Sequence, residues 1–192
     1  MGILATDNFN RANENPATGW TTLTGATAFK VVSNAVTPVG TGEVAAYYTG
    51  VTPPADHYSQ CAIGSLASGS GAGPAVRLQT GSLGGYLLSA YGASGGGLFI
   101  TKDDATLVGS ALSTEPHVAG DVYRLEVQGT TLRAYRNNTL KITATDSTYA
   151  TGQFGMWWFE NVNGTTGDDW EGGDFNNTPT NPLQINVSSL RW

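Results

Sequence analysis

Acidic side chains are concentrated in the stretch DDWEGGDF, residues 168–175, near the end of the chain. If this stretch is a strand, Asp169 and Glu171 project from one face, because successive side chains of a strand alternate between faces. Two neighbouring carboxylates can supply the nucleophile or base and the acid of a glycoside hydrolase. The alternation stops at Gly172 and Gly173. These residues alone leave a glycoside hydrolase open as an alternative to a protein that is not an enzyme.

The acidic residues suggest a second chemistry, which is the binding of a hard cation. Calcium takes about six to eight oxygen ligands, mostly from carboxylates and backbone carbonyls. Four aspartates could supply such oxygens: Asp7, Asp168, Asp169 and Asp174. The alternative is that they are solvated residues of turns and strand edges, where charges deter edge pairing. No cofactor is required, and a structural Ca²⁺ ion is the hypothesis that these residues raise.

Two pairs of adjacent aromatic residues, Tyr47 with Tyr48 and Trp157 with Trp158, bear on sugar binding. On a strand the members of each pair face opposite sides, so at least one ring of each pair lies outside the central core. Exposed rings with a few polar groups are typical of a glycan-binding surface. The alternative is that the second ring covers an outer sheet face beneath a loop or a neighbouring subunit.

The charge balance argues against a nucleic-acid partner. The chain has 9 Lys and Arg against 15 Asp and Glu, a net charge of -6, and phosphate binding needs clustered basic side chains. No run of about 20 apolar residues predicts a membrane span, and the start MGILAT does not resemble a signal peptide. The single Cys61 cannot form an internal disulfide, so the fold does not depend on an oxidising compartment.

Alternation over short segments predicts an all-β protein. In residues 120–147, Tyr123, Leu125 and Val127 share one face, and Asn137-Asn138 provides the positive φ angles of a two-residue hairpin turn. Gly, Pro, Asn and Asp clusters separate the segments, as in a two-sheet sandwich. Besides this meander, we predict strands at Asp7 to Phe9, Phe29 to Val32, Val44 to Tyr48, Tyr58 to Ile63, Ala75 to Leu78, Tyr86 to Tyr91, Leu98 to Thr101 and Phe154 to Phe159.

Several stretches, in this order, resemble the laminin-G-like, concanavalin A-like jelly-roll domains of phage virion proteins and bacterial surface proteins. They are DNFNRANENPATGW, FKVVSNAVTP, GPAVRL, the meander DVYRLEVQGTTLRAYRNNTLKITATDSTYATGQFG and the closing DDWEGGDF. The resemblance implies a two-sheet antiparallel jelly-roll sandwich over residues 1–175, with the first and last strands close together. A Ca²⁺ ion would then bridge those two strands. Glucanases of this fold carry acidic residues at alternate positions on one strand, and Gly172 and Gly173 depart from that pattern.

The last segment, residues 176–192, lies beyond the resemblance. Residues 176–182 are rich in turn formers, and we interpret them as a connector. Leu183, Ile185 and Val187 then alternate with polar residues as in a short strand, and Trp192 ends the sequence. We expect this strand either to dock on its own sandwich or to add to a neighbouring subunit, where main-chain hydrogen bonds supply affinity.

Three functions remain on sequence grounds. The first is a non-catalytic virion structural or decoration protein of a phage-like particle, assembled in the host cytoplasm and displayed on the virion surface. Its partners would be capsid or other virion proteins, further copies of the chain and a host-surface glycan. The alternative is a glycan-binding, lectin-like adhesin module, and a hydrolase comes last. The fold by itself does not decide among them, since one fold carries many functions.

Overall fold

The computed structural model describes residues 1–91, 97–103, 106–112 and 116–175. Every regular element in these ranges is a strand, and none of the described residues forms a helix that is long and apolar enough to cross a membrane. The strands are β1 (Gly2–Asp7), β2 (Trp20–Thr22), β3 (Phe29–Val32), β4 (Ala35–Pro38), β5 (Gly42–Tyr48), β6 (His57–Ile63), β7 (Gly71–Ala72), β8 (Pro74–Gln79), β9 (Gly84–Tyr91), β10 (Gly97–Lys102), β11 (Thr106–Leu112), β12 (Asp121–Gln128), β13 (Thr131–Arg136), β14 (Thr139–Thr145), β15 (Gln153–Glu160) and β16 (Gly167–Asp174).

The strands form two antiparallel sheets that pack face to face, as predicted. Sheet I has the order β14-β13-β12-β6-β16-β4-β3, with β1 also paired to β16. Sheet II has the order β11-β10-β9-β7-β15-β5-β2, with β8 paired to both β9 and β15. Gly2 lies opposite Asp174 and Asp7 opposite Trp170, so the first and last described strands are neighbours.

The meander follows the predicted pattern in detail. Tyr123, Leu125 and Val127 of β12 are each at most 1% exposed and face the space between the sheets. Asn137 and Asn138, which join β13 to β14, have φ angles of 50° and 61°. These values suit a two-residue hairpin turn of the primed type, whose twist matches that of the flanking strands.

The predicted first strand, Asp7 to Phe9, is wrong in position, since β1 ends at Asp7. The Asp7 side chain turns the backbone at this point: Oδ1 accepts the Phe9 N–H at 2.9 Å and the Arg11 Nη1–H at 2.6 Å. Phe9 adopts a φ of 49° and is completely buried. Its apolar side chain therefore marks a buried turn and not a strand.

Two buried polar contacts join the two sheets. Ser59 of β6 donates to the carbonyl of Gly155 in β15 at 2.7 Å. His57 Nε2 accepts the backbone N–H of Arg77 in β8 at 3.1 Å, so the ring proton is on Nδ1, which donates to the Pro54 carbonyl at 2.7 Å. Burial lowers the pKa of His57 to about 4, because the charged ring would lose its hydration.

Candidate functional site

One row of side chains crosses the outer face of sheet II. Phe159 of β15 pairs with Glu43 of β5 on one side and with Gly71 of β7 on the other, and Gly71 pairs with Tyr91 of β9. Residues that lie opposite one another in paired strands project from the same face. Phe159 and Tyr91 are 41% and 38% exposed. Two accessible rings thus flank a glycine, roughly 10 Å apart at two strand spacings.

A groove with a volume of about 350 Å³ occupies this face. Phe99 and Thr101 of β10 and Leu87 and Ser89 of β9 extend its surface beyond the row. All of these positions alternate with core residues along their strands, which is why they face outward. The described lining is mostly apolar and contains one charged side chain, that of Glu43. Ligand sites for small organic molecules have this composition.

Gly71 leaves space between the two rings. A Cβ atom built on Gly71 would lie 2.2 Å from Ser89 Oγ and 3.4 Å from Tyr91 Cδ2. A real Cβ atom cannot approach an oxygen that closely, so a larger residue would displace Ser89. The absence of a side chain at this position makes room for the Ser89 hydroxyl, so that Gly71 and Ser89 line the groove between Phe159 and Tyr91.

A buried indole lies next to the carboxylate of the groove. The Trp157 Nε1–H donates a hydrogen bond to Glu43 Oε2. The Trp157 ring is completely buried and packs in a second apolar cluster with Leu23, Ala45 and Leu78. The main chain of Glu43 is held as well, because its carbonyl accepts the N–H of Thr27 at 2.8 Å. Glu43 is therefore fixed at both its backbone and its side chain.

Solved structures of carbohydrate-active proteins share this architecture. Carbohydrate-binding module CBM66 from Bacillus subtilis matches with a TM-score of 0.63 and 19% identity, over 80% of this chain and 96% of that one. SCLam, a non-specific endo-β-1,3(4)-glucanase of family GH16, matches with a TM-score of 0.62 and 8% identity over 91% of each chain. The CBM2 module of the evolved Dit of Lactobacillus casei BL23 phage J-1 matches with a TM-score of 0.56 and 13% identity, over 90% of this chain and 95% of that one.

The fold is a concanavalin A-like jelly roll. No protein-family model and no curated protein sequence matches the chain. At these identities the likeness establishes the jelly roll alone, and the fold carries both binding modules and hydrolases.

The jelly roll places the two adjacent tryptophans on opposite sides of sheet II, as predicted. Trp158 lies between the sheets, with its ring centroid 4.8 Å from that of Phe29, and Trp157 lies in the second cluster. Both are 0% exposed. The expectation that one of these rings is exposed to a sugar is therefore wrong, because loop residues such as Leu23 cover Trp157. This arrangement matches the alternative in which a loop covers the second ring.

The adjacent tyrosines are each partly exposed. Tyr47 packs against the second cluster, and Tyr48 packs against the main core. The Tyr48 ring stacks on Trp170 at 5.2 Å and meets Trp20 edge-on at 5.8 Å. Neither tyrosine lines the groove. Their role in glycan binding stays a prediction, and the geometry points to packing for Tyr48.

Asp7 of the predicted calcium site has its oxygens engaged by protein donors. Oδ1 contacts Arg11 Nη1 at 2.6 Å, and Oδ2 accepts the Trp20 Nε1–H at 2.8 Å and an Arg11 N–H at 3.2 Å. Arg11 also contacts Glu14 Oε1 at 2.6 Å. An ion pair with arginine competes directly with metal coordination, so this carboxylate serves the N-terminal turn.

The four aspartates of that predicted site do not converge. Asp174 lies opposite Gly2 while Asp7 lies opposite Trp170, so the two carboxylates are separated by roughly 14 Å of strand. Burial, and after it the nearby charges of Asp169 and Asp7, raises the pKa of Asp168. In the described part of the chain no group of three or more acidic, His or Cys side chains is placed to hold a metal ion. The Ca²⁺ set predicted from the sequence is therefore wrong as a group.

The acidic pair suggested for catalysis lies on a β-bulge. The pairing of β16 with β6 shifts between Asp168 and Glu171, and Asp169 has a φ of 46°. Glu171 accepts the Tyr58 O–H at 2.6 Å, and burial together with this bond raises the pKa of Tyr58. Asp169 and Glu171 line a depression of about 180 Å³ on sheet I. This pair is remote in sheet topology from the groove of sheet II.

The predicted assembly residues Leu183, Ile185, Val187 and Trp192 lie outside the described residues. The described chain ends at Phe175, directly after β16, with its ring centroid 6.2 Å from that of Tyr58. The strand and its role in assembly stay predictions.

The residues that line the groove were missed by the sequence analysis. Tyr91 and Phe159 were recognised as the ends of predicted strands, and Phe99 as the interior of another. Their common surface depends on the pairing of β15 with β7 and of β7 with β9, which brings residues 159, 71 and 91 together. The sequence contains one signal for this surface, which is strand alternation. Because every second residue of a strand faces the same side, Phe159 shares the face of Trp157 and not that of Trp158.

Proposed function

We propose that the protein is a glycan-binding module whose groove on sheet II holds a sugar. The observation that carries this proposal is the row of accessible rings, Phe159 and Tyr91, on either side of Gly71 and next to Glu43. Apolar ring faces stack on the C–H faces of pyranoses, and a carboxylate accepts hydrogen bonds from sugar hydroxyls.

The alternative of hydrolysis finds less support in the groove. Glycoside hydrolysis by the common routes uses two carboxyl groups roughly 5 to 10 Å apart. The described lining contributes the carboxylate of Glu43, and the neighbouring Glu160 points to the opposite side of β15, where it is 1% exposed. One acceptor beside stacking rings suits retention of an intact ligand. We therefore propose a non-catalytic role that requires no cofactor.

The comparisons favour glycan binding over the decoration role that came first on sequence grounds. Two of the similar structures are carbohydrate-binding modules, and one of these belongs to a phage protein. A host-surface glycan is the partner that this proposal retains. Location on a virion surface, contacts with capsid proteins and assembly into oligomers stay predictions.

A glycan array followed by isothermal titration calorimetry tests the proposal. We expect the wild-type chain to bind at least one class of hexose-containing oligosaccharide, and Phe159→Ala or Tyr91→Ala to weaken that binding about tenfold. A tenfold loss corresponds to about 1.4 kcal/mol, which is in the range of one aromatic contact.

The matched control is Leu140→Ala, which removes a 49% exposed apolar side chain from the edge strand β14 of sheet I. Its affinity should equal that of the wild type. Equal binding by all three variants would place the sugar elsewhere, and the absence of binding to any glycan would reject the proposal. A second assay addresses catalysis: steady release of reducing sugar from a β-glucan, lost in Glu171→Gln, would make the chain a hydrolase.

A further inference from the structure

We infer that the buried Trp157 determines what the groove binds, by positioning Glu43 as the acceptor for ligand hydroxyls. This inference rests on the proposed function. It concerns the choice of ligand, because a carboxylate held in one place selects sugars whose hydroxyl groups reach that place while their apolar faces meet the rings.

The geometry begins with the strands. Glu43 lies opposite Phe159, and Trp157 lies opposite Ala45, so the indole and the carboxylate are diagonal neighbours on paired strands of one face. The Nε1–H of Trp157 donates to Glu43 Oε2. The same carboxylate lines the groove beside the accessible ring of Phe159.

Both partners are held before a ligand arrives. Trp157 is 0% exposed, and the surrounding cluster limits its rotamers. Thr27 holds the backbone of Glu43 from the other side, with its N–H and Oγ1–H 2.8 Å and 3.1 Å from the Glu43 carbonyl. An acceptor that is already ordered loses little conformational entropy on binding, so its position adds to both affinity and selectivity.

A second tryptophan–carboxylate contact in the same protein provides the contrast. Trp20 Nε1 donates to Asp7 Oδ2 at 2.8 Å, and Asp7 also forms an ion pair with Arg11 at 2.6 Å. That contact stabilises the N-terminal turn and does not line the groove of sheet II. The same chemical group therefore serves folding at Asp7 and, by our inference, recognition at Glu43.

A double-mutant cycle tests the inference. The probe is the tightest binder among cello-, chito-, galacto- and manno-tetraose, measured by calorimetry. Trp157→Phe keeps an aromatic ring and removes the N–H, and it should lower the affinity about fivefold in the wild-type background. In the Glu43→Ala background the same change should alter the affinity less than about twofold. Trp20→Phe, the matched control, should leave the affinity unchanged.

The outcomes separate this inference from the proposal beneath it. Equal effects of Trp157→Phe in both backgrounds would mean that Trp157 acts through general packing, and would overturn the inference while glycan binding stands. Failure of all four tetraoses and of the wider array to bind the wild type would overturn both. If Trp157→Phe does not fold, benzothienylalanine at position 157 keeps the size of indole without its N–H, and the same cycle is run with that residue.

Discussion

The outer faces of the two sheets follow the same alternating pattern, yet their side chains have different partners. On sheet I the polar groups contact one another: the Arg124 guanidinium lies 4.4 Å from the Tyr135 ring and 2.9 Å from Glu126 Oε1. Arg133 donates to Gln128 at 2.9 Å. On sheet II two accessible rings flank a glycine. A face whose charges are already paired offers a ligand little, whereas uncovered rings gain contact area when a sugar binds.

The largest expected effect is on the free energy of unfolding. It compares a buried residue on the outer face of sheet II with a surface residue on the outer face of sheet I. Trp157→Ala should lower the free energy of unfolding by about 3–5 kcal/mol, because it removes a fully buried ring from the second cluster. Tyr135→Ala, on the outer face of sheet I, should cost less than about 1 kcal/mol. Urea titration followed by circular dichroism measures both changes. Equal losses in the free energy of unfolding would mean that the two outer faces contribute equally to the stability of the fold.

The next effect concerns His57, which connects the two sheets by accepting the backbone N–H of Arg77. His57 titrates near pH 6.5 when unfolded and near 4 when folded, so the unfolded state binds a proton more readily between these values. The contribution of His57 to the free energy of unfolding should be fully present above about pH 6.5. It should fall by about 3 kcal/mol as the pH drops to about 4, and it should level off below that value.

Urea unfolding at intervals of half a pH unit measures this change. His57→Gln, which has no ionisable group, should remove most of the slope between pH 6.5 and 4.5. An unchanged slope in this variant would mean that carboxylates, and not His57, cause the loss of stability in acid.

The smallest expected effect tests whether the ligand uses the gap beside Gly71. Gly71→Ala should lower the free energy of unfolding by about 1 kcal/mol and weaken glycan binding severalfold, because the new Cβ meets Ser89 Oγ and enters the gap between the rings. Ser89→Ala removes that oxygen, so the double variant should recover most of the stability and little of the affinity. Recovery of both would show that the gap itself is not used by the ligand.

The fold could be predicted from local patterns, because hairpin turns and the alternation of apolar and polar residues depend on residues that are neighbours in the sequence. Asn137-Asn138 was recognised for this reason, although the equivalent pair Ser33-Asn34, with φ angles of 53° and 60°, was not. Arg11, four residues after Asp7, was the available signal that this aspartate is engaged by the protein.

The candidate site was beyond sequence reasoning because it depends on the register between distant strands. Residues 43, 71, 91 and 159 meet only when four strands are paired, and no local pattern specifies that pairing. The β-bulge that separates Asp168 from Glu171 likewise arises from pairing with β6. Sequence reasoning therefore assigned chemistry to acidic residues that are adjacent along the chain, whereas the groove assembles residues that are far apart in it.

The position of β16 has a consequence for how the chain reaches its native state. This strand lies inside sheet I, between β6 on one side and β1 and β4 on the other, although it is the last described strand. Sheet I therefore stays split into three unjoined parts, β14-β13-β12-β6, β4-β3 and β1, until residues 167–174 have left the ribosome, and folding during synthesis stops short of the complete sandwich. Such non-local pairing is characteristic of slow-folding β-proteins, so the newly made chain exposes the edges of β6, β4 and β1 that β16 later covers.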